Sequence, residues 1–211
     1  HELRTPLNAM LGFAQLLSLD RKPALAEHQR AWAAQIQQAG WHLLHMINDT
    51  LDLSRIESGM LKLEPVALEL GPLVSAALAM VEPTADKLGL RIEHKLDRRA
   101  RAVLGDETRI KQILTNLLSN AVKYNVDGGS IVVRSRITES QVVEIVVSDT
   151  GLGMTRAQMD ELFQPYNRLG RERTAVEGTG IGLVISRRLA ELMGGSLRAQ
   201  TWAGYLAMLY L

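Results

Sequence analysis

Cysteine is absent from all 211 residues, which excludes disulfides and thiolate-bound metal and fits a reducing compartment. Aromatic residues make up only 4%, so any core must be aliphatic. No apolar run approaches the roughly 18 residues of a membrane-spanning helix, and no signal peptide is visible. The chain therefore reads as cytoplasmic material, with anchorage of a parent protein left open. A surplus of either charge is missing too, with 24 Lys and Arg against 23 Asp and Glu. That balance gives no electrostatic reason to expect contact with nucleic acid. What is present is an apolar content of 46%, enough for one large core or two small ones.

Residues 1–57 read as two helices. In the first, Leu3, Leu7, Met10, Ala14 and Leu17 alternate by four and three, an a/d seam. His1, Thr5, Asn8 and Gly12 fall within roughly 60° of each other on the other side. Asp20-Arg21-Lys22-Pro23 reads as a turn. The second helix carries Trp32, Ile36, Leu43, Ile47, Leu51 and Ser54 at helical spacing, and Gly59 is a stop signal. A two-helix hairpin cannot bury such a seam alone, so a homodimeric four-helix bundle is expected, ahead of the alternative of a monomeric hairpin packed on the second domain. The chain opens inside a helical pattern, so further helical turns are expected upstream of His1.

Residues 58–66 are the expected linker, and residues 67–211 change character. Gly71–Lys87 is amphipathic and helical, and Leu90–Leu96 alternates like a strand. Asp106–Lys123 is a second helix with Asp106 as N-cap. Asp127-Gly128-Gly129 marks a turn, followed by strand-like runs Ile131–Ile137 and Val142–Ser148 that form a hairpin. Residues 163–180 read as a long polar loop and Ile181–Met193 as a third helix ended by Gly194-Gly195. Ser196–Thr201 and Tyr205–Leu211 are closing strands. The mixture lacks strict βαβ order, which predicts an α+β sandwich: one mixed sheet with helices on one face.

Several residue groups carry chemistry. His1 stands beside Glu2; a neutral imidazole can attack phosphorus while a carboxylate orients it or takes its proton. Asn116 and Asn120 lie four apart, so their amides share a helix face and can offer oxygens to a hard cation such as Mg²⁺. Lys123 adds a point charge for phosphate, and Tyr124 an aromatic face. Asp149-Thr150-Gly151-Leu152-Gly153 follows a strand, where a carboxylate can accept from an adenine amino group and glycines let backbone approach a ligand. An aspartic protease uses the same Asp-Thr-Gly letters but needs a second copy, which is lacking. Gly178-Thr179-Gly180-Ile181-Gly182-Leu183 runs into a helix, whose N-terminal N–H groups and dipole attract phosphate. No βαβ unit surrounds it and no Gly-Lys-Ser/Thr occurs, so neither a dinucleotide fingerprint nor a Walker A loop fits.

Taken in order, these groups resemble the transmitter core of sensor histidine kinases over essentially the whole chain. His1–Leu7 is similar to the H box, Asn116–Tyr124 to the N box and Asp149–Gly153 to the first glycine box. Phe163-Gln164-Pro165-Tyr166 with Arg168 is similar to the F box, and Gly178–Gly182 to the second glycine box. The resemblance implies a phosphotransfer hairpin joined to a Bergerat-type ATP-binding domain. It implies autophosphorylation from Mg-ATP on His1, then transfer to an aspartate of a response regulator. By matching position, Glu2 is the acid/base partner, Asn120 the main Mg²⁺ ligand and Asn116 its support. Lys123 contacts phosphate, Tyr124 packs on the base, Asp149 reads adenine, and residues 163–180 form a lid over the nucleotide. Thr5 matches the position that orients water in members that dephosphorylate their regulator. One departure is Trp202-Ala203-Gly204-Tyr205, a single glycine where the family usually has a glycine-rich turn. The alternatives are an ATP-binding relay scaffold without autokinase activity, or another ATPase of the same fold.

Overall fold

The computed structural model describes residues 4–19, 25–167, 178–201 and 205–211. His1, Glu2, the turn at 20–24, Arg168 with most of the loop at 163–180, and the turn at 202–204 lie outside the described residues.

Helices α1 (Arg4–Leu19) and α2 (Glu27–Glu57) form the N-terminal hairpin. They run antiparallel: Leu11 lies against Gly40, and the Gln37 side-chain amide donates to the Ala14 carbonyl at 2.9 Å. The expected seam is rotated. Leu7, Leu11 and Ala14 are buried, while Met10 and Leu17 stay 55% and 51% exposed. On α2 the buried positions are Ala33, Leu53 and Ile56, whereas Trp32, Ile36, Leu43 and Leu51 are exposed. The reason is geometric. Two helices of one chain cover only the strip between them, so a wide apolar band leaves its second half outward.

The second unit runs β1 (Val66–Glu69), α3 (Leu70–Lys87), β2 (Arg91–Leu96), β3 (Ala102–Gly105), α4 (Glu107–Lys123), β4 (Ser130–Ile137), β5 (Val143–Asp149), α5 (Arg156–Glu161), α6 (Gly182–Leu192), β6 (Ser196–Thr201) and β7 (Tyr205–Tyr210). Five strands form a mixed sheet in the order β2-β4-β5-β7-β6, with β2 parallel to β4 and the other pairs antiparallel. Strands β1 and β3 make a separate antiparallel pair. Alternation in β4 buries Ile131 and Val133 under α3, α4 and α6. On the other face Arg136 covers the buried Glu144 with an ion pair. The mixed sheet with helices on one face agrees with the sequence pattern. The β1/β3 pair and α5 escape that pattern because segments of four and six residues are too short to show a period.

Helix α4 organises the core. Ile110, Ile113, Leu114, Leu117, Leu118, Ala121 and Val122 are all buried. Leu53 and Ile56 of α2 join this same cluster, so the hairpin and the sandwich share a core. The α4 N-terminus is built on Asp106, whose side chain accepts from the Arg109 backbone N–H at 3.1 Å and from that of Glu64 at 3.1 Å. Burial pushes the Asp106 carboxyl up, but these hydrogen bonds and the Arg109 charge outweigh it and hold the carboxyl below its ordinary value. The stabilisation is therefore present above the unfolded carboxylate range, about pH 4, and fades as pH falls through the lower folded value. Asp106→Ala is expected to lower stability by about 1 kcal/mol at neutral pH. In chemical denaturation the difference from the parent chain should shrink on acidification.

Candidate nucleotide site and its junction with the hairpin

The C-terminal half of α4 presents Asn116, Asn120, Lys123 and Tyr124 to one cleft of about 1040 Å³. The buried face described above leaves these polar side chains along its edge. Asn116 is clamped: its amide nitrogen donates to Ser186 Oγ on α6 at 2.9 Å, and Ser186 is buried. The backbone at Gly182 presses against the same side chain, where an added Cβ would stand 2.5 Å from Asn116 Oδ1. This close approach explains a glycine at the first position of α6. Lys123 Nζ stands 5.9 Å from the Tyr124 ring centroid and beside Gly178, so a cation, an aromatic face and the glycine-rich segment are adjacent.

Asp149, at the end of β5, is buried and accepts from the Gly151 N–H at 2.8 Å. That bond fixes the carboxylate with Gly151 behind it, while Gly153 and Met154 line the cleft. Around them Thr150 Oγ1 accepts from the Ser130 N–H at 2.8 Å, a brace the motif reading did not single out. Gly178, Thr179, Gly180, Gly182 and Leu183 line the other side. Gly180 has φ +70°, a left-handed conformation that suits glycine, and its carbonyl accepts from the Tyr166 N–H at 3.1 Å. Ile181 is buried in the core and anchors the start of α6. Thr5 is exposed on α1 and is not among the described residues lining the cleft.

The cleft also has a wall that sequence reasoning missed: Arg4 and Asn8 of α1, and His42, His45, Asn48, Asp49 and Asp52 of α2. The signal was available as a polar stripe at 45, 49 and 52, at helical spacing, but nothing local says what such a stripe faces. Thr179 Oγ1 donates to Asp49 Oδ2 at 2.8 Å. Arg109 Nη1 and Gln112 Nε2 donate to Asp52 Oδ2 at 3.2 and 3.1 Å. Burial pushes the Asp49 carboxyl up, only partly offset by the Thr179 bond and the His45 charge. So a residue of the glycine-rich cradle is bonded directly to the hairpin.

Residues 1–59 match the His Kinase A (phospho-acceptor) domain. Residues 105–205 match the histidine kinase-, DNA gyrase B- and HSP90-like ATPase family. With both modules in this order on one fold, the chain belongs to the sensor histidine kinases, as a transmitter core of the two-component type. It is 35% identical to histidine protein kinase DivJ of Caulobacter vibrioides, over 97% of this chain and 34% of that protein. It is 37% identical to sensor histidine kinase GacS of Pseudomonas protegens, over 97% of this chain and 22% of that one. The chain thus spans about a third or less of these curated relatives. The crystal structure of full-length ShkA in complex with AMPPNP superposes with a TM-score of 0.80 at 29% identity, covering 100% of this chain and 43% of that one. The kinase AdeS of Acinetobacter baumannii, at 23% identity and TM-score 0.71, shares the fold over 100% of this chain and 96% of its own. No helix among the described residues is long and apolar enough to cross a membrane.

The Asp52–Arg109 pair joins α2 to α4 with side chains only 20% and 19% exposed. A double-mutant cycle of Asp52→Asn and Arg109→Gln in thermal denaturation should show a coupling of about 1 kcal/mol, as for partners in one charge-assisted network. Additive losses would mean that the pair does not hold the two helices together.

Proposed function

We propose that this chain phosphorylates itself on His1 from ATP and passes the phosphoryl group to an aspartate of a response regulator. The observation that carries this reading is the single cleft in which the asparagine, aspartate and glycine-box residues meet a phospho-acceptor hairpin. In the reaction a ring nitrogen of His1 attacks the γ-phosphorus. The bond from that phosphorus to the bridging oxygen breaks, and ADP leaves with the electron pair. Glu2 takes the imidazole proton. The regulator's carboxylate then takes the phosphoryl group and His1 is regenerated. Hydrolysis of the regulator's phosphoryl group, with Thr5 orienting the water, is the companion activity this reading assigns.

Binding roles follow the donor chemistry. Asp149 accepts from the adenine amino group, and Tyr124 covers the base. Lys123, Arg168 and the backbone of Gly178–Leu183 take the phosphates, with the dipole of α6 adding to the attraction. The amide oxygen of Asn120 suits Mg²⁺, with Asn116 held beside it by Ser186. Among the described residues no cluster of three or more His, Asp or Glu would hold a metal ion. Magnesium would then bind jointly with the phosphates, as it commonly does, and supply charge neutralisation for transfer.

We infer three units: a hairpin of residues 1–57, a hinge of residues 58–66 and an ATP-binding domain of residues 67–211. We also infer a homodimer. Phe13 is 68% exposed, Trp32 59% and Ile36 52%, and a second copy of the same band is the partner whose chemistry matches this surface.

Incubation with ATP labelled on the γ-phosphate should give an acid-labile, base-stable label. His1→Gln should abolish it and leave nucleotide affinity within about twofold, because only the acceptor is lost. Asn120→Asp should weaken magnesium-dependent nucleotide binding or transfer by about 10-fold or more. Full labelling in either variant contradicts the assignment. Phe13→Glu with Ile36→Glu should convert the dimer to monomer in sedimentation equilibrium, and an unchanged mass would reject that interface.

A further inference from the structure

We propose that Asp49 of the hairpin and the phosphates of a bound nucleotide compete for the Thr179 end of the glycine-rich cradle. Hairpin docking and nucleotide binding then oppose each other through one carboxylate. This competition presupposes the nucleotide site proposed above, and no step of the transfer reaction.

Asp49 lines the cleft from α2 and accepts from Thr179 Oγ1 at 2.8 Å. The same hydroxyl oxygen accepts from the Ile181 N–H at 3.3 Å, directly ahead of α6. Gly178, on the other side of Thr179, stands against Lys123 Nζ. Through a single hydroxyl, one carboxylate thus reaches the place where glycine backbone, a helix N-terminus and a lysine converge. That is the setting that attracts anions. A side-chain carboxylate and a phosphate are alternative anions there, and like charges repel most where water is partly excluded. Burial pushes the Asp49 carboxyl up and the Asp52 charge adds to this, while the Thr179 bond and the His45 charge oppose it. The Asp49 charge is therefore held in the junction at a cost, and arriving phosphate raises that cost.

The rest of the junction determines which part yields. Leu53 and Ile56 follow Asp49 on the same face of α2, and both are buried in the shared core. Asp52 is bonded to Arg109 and Gln112, in the N-terminal half of α4. None of these contacts involves the cradle. Loss of the Asp49–Thr179 bond therefore leaves α2 anchored near its C-terminus and released from the cradle. Coupling between two binding events is reciprocal. The factor by which docked Asp49 weakens phosphate binding is the factor by which phosphate weakens docking. Adenosine carries no phosphate and lies outside this coupling, so the ranking of adenosine, ADP and AMPPNP reports it.

The test is calorimetric titration of the full chain with adenosine, ADP and AMPPNP at fixed magnesium. The parent is compared with Asp49→Asn, Asp49→Ala and Asp49→Glu. Asparagine keeps an acceptor for Thr179 and removes only the charge. Asp49→Asn should tighten ADP and AMPPNP by about 10-fold, a usual size for such coupling, and leave adenosine nearly unchanged. Asp49→Ala should do the same, while Asp49→Glu, which keeps the charge, should stay close to the parent for all three. Equal tightening of adenosine would overturn the assignment, because it marks a cleft that has merely opened. Unchanged ADP and AMPPNP affinity in Asp49→Asn would overturn it as well. Weaker AMPPNP binding in that variant would reverse the sign and make Asp49 a partner of magnesium, which also overturns it. A parent chain that binds none of the three overturns the nucleotide reading, and this competition with it.

Discussion

The site depends on how helix α4 is clamped. Its aliphatic face is driven into the core by the removal of Ile110, Ile113, Leu114, Leu117 and Leu118 from water, a non-directional force that sets depth but not rotation. Rotation comes from polar bonds. Asp106 ties the N-terminus to Arg109 and Glu64, and Asn116 ties the C-terminal half to Ser186 on α6. With depth and rotation both set, Asn120, Lys123 and Tyr124 have little choice but to face the cleft. Preorganisation of this kind matters for phosphoryl transfer, where positioning and charge neutralisation do most of the work.

A second constraint is the way the hairpin meets this domain. Leu53 and Ile56 sink into the same aliphatic cluster as α3 and α4, and Asp49 and Asp52 add directional bonds. The polar bonds are few and only partly buried, so the posture is specific without resting on a large polar network. Phosphoryl transfer needs that compromise. Under the proposed function the cleft must open on the hairpin for one step and withdraw for another, when a regulator would need the same helix. The Thr179–Asp49 bond links the two demands, because one hydroxyl belongs to the cradle and to the junction together.

Much of this was legible beforehand. The α4, β4, β5 and α6 segments announce themselves through strong periods and through Asp106, Gly128 and Gly194 as punctuation. The motif residues Asn116, Asn120, Asp149 and Gly178 to Gly182 are recognisable by type and spacing. The seam of α1 was legible in period but not in phase: Leu11 is buried where Met10 was expected. A band of apolar residues wider than one contact strip supports either choice, and only the packed partner selects. The β1/β3 pair was invisible because four-residue strands carry no period, and their pairing spans residues 66 to 105.

The sequence by itself determined the helical hairpin followed by a mixed sheet with its helices, and it singled out Asn116, Asn120, Lys123, Tyr124 and Asp149, which line the cleft. These follow from local periodicity, caps and motif spacing, which act over a few residues. Tertiary structure alone decided that Arg4, His45, Asp49 and Asp52 share a cleft with residues more than 60 positions away. It also decided that Asn116 spends its amide on Ser186, and that half of the hairpin's apolar band faces outward. Those outcomes depend on which surfaces meet, and a stripe of residues on a helix does not encode its partner.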